Sequence, residues 1–328
     1  MSLKIIKAGI LDTVQDEGRF HYQQWGINPG GVMDRFSASL ANALLGNELN
    51  NPVIELHFPA SQFLFKQSCI ICLAGADFSA TINGVAVSNH QPLLLTANSL
   101  LSFTALQKGA RCYLSIFNNL QLEKWLGSYS TNLKANAGGW KGRKLQKEDE
   151  LSFSSLSLPA KIMEDFLTLP WRYKEDEILS NEIEVIAGNE WAWLTTKNQT
   201  SFLNDHFTIS NSSDRMGYRL QGEPLQQERQ EQLVSSAVTF GTIQLLPNGQ
   251  LIVLMADHQT TGGYPRIAHV TAVHLPRLAQ RNPGDEVRFT LSSIEAAEEK
   301  WISQQHYLMQ LQKTCNLKMQ NWLHAHRH

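Results

Sequence analysis

The chain has 328 residues, 42% of them hydrophobic and 18% charged, a composition that supports large folded cores and leaves room for two domains. Its formal net charge is −2, which makes no electrostatic case for nucleic acid or an anionic membrane, since both want clustered Lys and Arg. The opening M-S-L-K-I-I-K-A-G-I-L-D-T-V-Q-D lacks a sustained apolar core and a small-residue cleavage site, and no apolar run is long enough to cross a bilayer; a soluble, cytoplasmic protein is expected.

In chain order, a strand-like I-I-K-A-G-I-L-D-T-V leads into Q-D-E-G-R at Gln15–Arg19. The glycine-rich Trp25–Asp34 then feeds a predicted helix over Asp34–Leu45, with Phe36, Leu40, Ala43 and Leu44 on one face. Asp34 suits the N-cap and Gly46 the left-handed residue that ends the helix. A glycine loop before a helix can hold an anion, but the Asp34 carboxylate competes for the same donors, which favours capping.

Cys69-Ile-Ile-Cys72 has the form of a metal-binding pair, yet its surroundings read as a strand, where residues three apart point to opposite faces. No second ligand pair follows, so reduced, structural cysteines and no metal site are expected. Asn83-Gly84 within Ala80–Val87 marks a tight hairpin. Gly138–Lys144 is rich in glycine and lysine but lacks the spacing and the hydroxyl of a P-loop. Ser152–Ser180 reads as a connector, and a new strand pattern starts at Glu182. Two β-rich halves are therefore expected, 1–180 and 181–328.

In the second half, Thr242–Met255 predicts a hairpin turning at Pro247-Asn248-Gly249. Ser292 with Glu295 forms a capping-box signal, followed by apolar residues at helical spacing from Ile294 to Trp322: one long amphipathic helix, or two in series. The tail residues His324, His326 and His328 read as a frayed end that could catch metal incidentally.

Two segments carry candidate chemistry. If Arg215–Leu220 is extended, Met216, Tyr218 and Leu220 fill a core while Arg215 and Arg219 flank the bare Gly217 on the other face. Two guanidiniums so placed suit a carboxylate or phosphate; equally they are two solvated surface arginines. Asp257–Val270, D-H-Q-T-T-G-G-Y-P-R-I-A-H-V, follows the apolar run Leu251–Ala256 and holds more polar and glycine residues than a turn needs. Asp257 is a candidate base or metal ligand there, Gln259, Thr260 and Thr261 offer neutral donors and acceptors, Gly262 and Gly263 admit close backbone approach, and Tyr264 supplies a flat wall. The alternative is a loop whose polar groups satisfy one another.

The segments Q-D-E-G-R, G-G-V-M-D with A-N-A-L-L-G-N, P-V-I-E-L, L-G-S-Y-S-T, S-S-D-R-M-G-Y-R-L and F-G-T-I-Q-L-L-P-N-G-Q-L-I-V-L-M-A-D-H-Q-T-T-G-G-Y-P resemble one family over about Ile5 to Ala297. It is the allophanate hydrolase subunit 2-like, or biotin-dependent carboxyltransferase-like, family, which takes in the C subunits of 5-oxoprolinases and antagonists of a kinase inhibitor. The resemblance implies a mainly β fold of tandem cyclophilin-like barrels with a few helices. It implies a partner B subunit of the kinase-inhibitor-like type and a third protein, the A subunit. Together such proteins open the lactam of 5-oxoproline to L-glutamate at the expense of ATP and Mg²⁺. The resemblance leaves biotin, if any, on another chain. On this view Arg215 and Arg219 anchor a carboxylate or stabilise phosphate charge, and Asp257 or Asp16 positions Mg²⁺ or accepts a proton. Gln259 and the Thr260–Gly263 backbone then hold the lactam edge. Other members of such a family imply other roles: a non-catalytic regulator, or a carboxyltransferase-like component of a urea system.

Overall fold

The computed structural model describes residues 2–154, 165–174, 180–227, 231 and 233–326. These group into two compact units, one within Met1–Gly18, Asp34–Asp176 and Gln305–His328, the other within Arg19–Met33 and Glu177–Gln304. The fold is mainly β, and the described residues form four α-helices: α1 (Arg35–Leu45), α2 (Thr196–Asn204), α3 (Leu275–Ala279) and α4 (Ile294–Ala325). None of the described helices is long and apolar enough to cross a membrane.

The first unit contains two six-stranded sheets. Alternation along the strands explains how they pack. Cys69, Ile71 and Leu73 enter a core shared with Leu3, Ile5, Phe63 and Phe65 of the other sheet. Their neighbours Ile70, Cys72 and Ala74 face the opposite way, onto Leu40 and Leu44 of α1 and Leu308, Cys315 and Met319 of α4. Cys69 and Cys72 therefore sit on opposite faces of one strand, as the period of two requires, and all four cysteines are buried and free. The Asn83-Gly84 hairpin forms between Ala80–Ile82 and Val85–Ala86.

Asp34 caps α1 as its sequence predicts: its Oδ1 accepts the Ser37 amide at 2.8 Å, and Gly46 closes the helix at φ 72°. That glycine is also required for packing, because a Cβ there would lie 2.5 Å from the Asn316 Cα of α4. The expected connector proves partly structured. Phe166–Thr168 pairs with Leu93–Leu95, and Leu169 and Trp171 are buried behind it, the indole donating to the Leu44 carbonyl at 2.9 Å. Residues 155–164 and 175–179 of that segment lie outside the described residues, as does His328 of the tail.

The second unit is a closed seven-stranded barrel. The Thr242–Leu245 and Leu251–Leu254 strands form the predicted hairpin. Closure comes from the parallel pairing of Glu182–Ala187 with Glu286–Leu291. Ile183, Val185, Ile243, Val253, Ile267 and Phe289 are among the side chains of its core, capped by Phe202 of α2, which stacks on Phe289 with ring centroids 4.8 Å apart. The long C-terminal helix is continuous, but its cap is Ser293 rather than Ser292: Ser293 Oγ accepts the Ala296 amide at 3.2 Å.

Candidate functional site

Arg215 and Asp257 come from segments far apart in sequence and meet in the barrel unit. Arg215 ends the turn before the Gly217–Gln221 strand, and Asp257 follows the Leu251–Leu254 strand; those strands pair antiparallel. The pairing continues past their ends, with the Met255 amide on the Met216 carbonyl at 3.0 Å and the Asp257 amide on the Arg215 carbonyl at 2.8 Å. The side chains then close a fork. Arg215 Nε donates to Asp257 Oδ2 at 2.9 Å and Nη2 to Oδ1 at 3.1 Å. Nη2 also donates to the Gly31 carbonyl at 2.7 Å. Arg215 is 5% exposed and Asp257 18%, so the cation is sunk and the carboxylate reaches the surface.

A third charged side chain joins them. Arg19 is fully buried, and a Cβ built on Gly30 would lie 3.2 Å from its Nη1 and 3.6 Å from Asp257 Oδ1. Arg19 and Asp257 thus converge on a glycine held at φ 62°, where a side chain is strained and the space is already taken. Arg19, Gly30 and Gly31 lie in segments singled out by sequence, yet nothing in their local pattern assigns them to the Asp257 region. Only the packing of Arg19–Met33 with the barrel strands brings them there.

The expectation of two arginines on one face does not hold. The strand begins at Gly217, so Arg215 is in a turn and folds inward, whereas Arg219 is exposed on the strand proper. Arg219 instead borders a solvent-open cavity of about 370 Å³.

The loop after Asp257 is partly a ribbon. Thr261–Gly262 pairs with Ser236–Ala237, and the Thr260 carbonyl accepts the Val238 amide at 3.2 Å. A Cβ at Gly262 would sit 2.6 Å from Nε2 of the buried Gln244, so a side chain there would displace that amide. His258 is buried, which lowers its pKa, and its Nδ1 is 2.5 Å from the Gln259 carbonyl. Gln259, Thr261, Gly263 and Tyr264 stay exposed, with Thr260 half-buried. The ribbon tethers the loop and leaves those groups available to a ligand.

Asp16 belongs to the first unit and is spent on structure there. Its Oδ1 accepts from the Gly18 amide at 2.8 Å, Ser128 Oγ at 2.6 Å and Ser130 Oγ at 2.5 Å, and its Oδ2 from the Tyr129 amide at 2.6 Å. A carboxylate surrounded by donors is a loop clamp. The same unit holds a buried polar chain that the sequence does not announce. The Asp34 amide donates to Tyr113 Oη at 2.8 Å, and Tyr113 Oη donates to Glu55 Oε2 at 2.9 Å. Burial, then the Glu55 and Asp34 charges, push the Tyr113 hydroxyl pKa well up, so it stays a donor. The one local signal is the polar Glu55 inside the apolar P-V-I-E-L, but its partner is set by cross-strand register with Tyr113.

A family model described as carboxyltransferase domain, subdomain A and B, matches residues 25–291. The chain is 35% identical to the C subunit of 5-oxoprolinase from Escherichia coli (strain K12), over 94% of this chain and 97% of that one. It is 32% identical to the C subunit of 5-oxoprolinase from Haemophilus influenzae, over 93% and 96%. Among solved structures it resembles the urea amidolyase of K. lactis with a TM-score of 0.84 at 26% identity, covering 94% of this chain and 20% of that chain. This chain thus spans about a fifth of that larger protein.

Proposed function

The chain belongs to the family of carboxyltransferase domains with subdomains A and B, and from that premise we propose that it is the C subunit of an ATP-dependent 5-oxoprolinase, opening the 5-oxoproline lactam to L-glutamate together with the A and B subunits. The observation that carries this is coextension. The similarity to the C subunit of 5-oxoprolinase runs almost from end to end of both chains, whereas the urea amidolyase match is to a small part of a much longer protein. Similarity to a protein named as one component of a complex supports a role as such a component.

On this reading the Arg215–Asp257 fork lies at the reacting centre. A lactam carbonyl is a poor electrophile, and the amide nitrogen leaves only once charge on the carbonyl oxygen is stabilised. Asp257, oriented by Arg215 and partly exposed, accepts the lactam N–H or a proton from attacking water. Arg19 and Arg215 keep the surroundings positive, which favours the substrate carboxylate. Gln259, Thr260 and the backbone of Gly262 and Gly263 hold the lactam edge, and Tyr264 walls it. Asp257 takes the catalytic role in preference to Asp16, whose oxygens are already engaged by four donors.

Among the described residues no three His, Cys, Asp or Glu side chains gather as metal ligands, and both Asp257 oxygens take bonds from one guanidinium. We place ATP and Mg²⁺ in the assembled complex, with the nucleotide shared with or held by the partner chain.

The test is to mix this chain with its B-type and A-type partners and measure ATP hydrolysis and glutamate formation with and without 5-oxoproline. Turnover that needs this chain and rises with 5-oxoproline supports the reading; a stable complex with no turnover removes it. A second reading, a carboxyltransferase acting on a biotin-borne group, is favoured by the fold similarity to urea amidolyase. It requires a biotinylated partner, which a streptavidin blot of the co-purified complex detects.

A further inference from the structure

We propose that one face of α4 is a self-association surface, on which a second copy of this chain packs antiparallel about an axis between Gln305 and His306. The inference does not rest on the function proposed above. α4 is an unbroken helix over Ile294–Ala325, and the residues it buries, Leu308, Cys315, Met319 and Leu323, all lie in its C-terminal part. Asn316 Nδ2 adds to that hold by donating to the Gly46 carbonyl at 2.8 Å. Several large apolar side chains of the same helix nevertheless stand in solvent: Ile294 is 61% exposed, Ile302 46%, Met309 42% and Leu317 59%. Single apolar residues scattered on a surface need no explanation, but these four are ordered.

Residues four apart on a helix line up as a ridge, and two exposed ridges run along α4. Ile294, Glu298 and Ile302 make the first, and Met309, Lys313 and Leu317 the second. Each has a charge between two apolar groups, and the two charges are of opposite sign. Neither charge is answered within the helix, since no residue three or four positions from Glu298 or Lys313 carries the opposite sign. No ion pair joins either of them to another described residue.

A two-fold axis between Gln305 and His306 lays the first ridge of one copy along the second ridge of the other. Ile302 then faces Met309, Glu298 faces Lys313 and Ile294 faces Leu317, and the symmetry repeats each pairing. Packing of such ridges from both helices is the commonest helix–helix arrangement, with the axes crossing at about 50°. The crossing spreads the ends, so the Ile302–Met309 pairs form the centre, the Glu298–Lys313 pairs the rim, and Ile294 and Leu317 the edge. Self-complementarity is what selects a second copy as the occupant. Each ridge finds apolar groups and an opposite charge on the other, and one chain supplies both. A uniformly acidic or basic partner would set like charge against one ridge. A single helix crossing is a small interface, so the dimer is weak and depends on concentration.

The experiment is sedimentation equilibrium of the full chain from about 1 μM to about 1 mM, where a monomer–dimer equilibrium is expected. E298K and K313E each put like charges into both rim pairs and are expected to weaken the dimer about tenfold. The double variant E298K/K313E exchanges the charges and is expected to restore it. Both positions are exposed, so the thermal unfolding midpoint, measured alongside, is expected to move little. H306C, beside the axis, is expected to cross-link to the same position of a second copy with a short bismaleimide, and Q320C, far from it, is not; the native cysteines are all buried. A monomer throughout the range, a dimer indifferent to both single variants, a double variant no better than either single one, or cross-linking at Q320C in place of H306C overturns the proposal.

Discussion

Arg215 and Asp257 hold each other twice over, through a backbone bond at 2.8 Å and a two-pronged side-chain pair at 2.9 and 3.1 Å. The side-chain pair cannot be loosened without leaving one charge largely withdrawn from water. Removing one partner of such a pair costs about 3–5 kcal/mol when it is buried, and the partial exposure of Asp257 puts the expected cost near the lower end. Arg215→Ala and Asp257→Ala should each lower the urea midpoint strongly, and the double variant should cost clearly less than their sum. Additive losses in that cycle would show that the two charges do not stabilise each other.

Gly30→Ala tests the same centre from the backbone side. Its φ of 62° disfavours a side chain, and the new methyl would crowd Arg19 Nη1 at 3.2 Å. A loss of about 1–2 kcal/mol is expected from the conformation and the crowding together. The measurement is the shift in denaturant midpoint, with Gly26→Ala as the comparison, since Gly26 shares a positive φ but has no atom within 4 Å of the built Cβ.

Tyr113→Phe removes one hydroxyl that serves two buried groups. The Asp34 amide and Glu55 Oε2 both lose their bonds to it, with little change in volume. A cost of about 1–3 kcal/mol is expected, read from equilibrium unfolding. Because Asp34 caps α1, amide exchange should rise in the first turn of that helix more than in its last. Uniform exchange along α1 would contradict the link.

Asp12 predicts a pH dependence of unusual sign. Burial lifts its pKa to about 6, against hydrogen bonds from Ser61 and the His57 backbone, and the Glu55 charge adds to the lift. The folded chain therefore keeps a proton that the unfolded chain releases near pH 4. The stabilising contribution is full below about pH 4 and is lost as pH rises to about 6, on the order of 3 kcal/mol. Unfolding measured between pH 4 and 7 should show this slope, and Asp12→Asn should flatten it whatever its effect on absolute stability. A slope that survives the substitution assigns the proton to another group.

The features legible in the sequence are those fixed by neighbours along the chain. Asn83-Gly84 determines its own turn, Asp34 and Gly46 bound their helix through bonds within it, and the spacing of Cys69 and Cys72 decides which face each takes. The mainly β character followed from the density of such signals. What sequence did not show depends on register between distant strands. Phe166–Thr168 is too short to announce itself and exists because Leu93–Leu95 offers an edge. Arg215 and Arg219 separate because the regular strand begins only at Gly217 and Arg215 lies in the bend before it, which no local pattern marks. The loop residues Gln259 to Tyr264 were recognisable as unusual, but the Arg19–Gly30–Asp257 convergence required the fold.

The barrel's closing pair, Glu182–Ala187 with Glu286–Leu291, has a consequence for synthesis. The first strand of the cylinder emerges from the ribosome long before the last, so its open edge has no permanent partner during most of translation. The segment Arg19–Met33 waits longer still, since it is made near the beginning and packs with strands made near the end. Contacts of such long sequence separation form slowly, and unpaired strand edges invite association with other chains. Truncation before Glu286 would therefore yield an aggregating nascent chain rather than a smaller folded one, and chaperone demand should peak just before that strand is released.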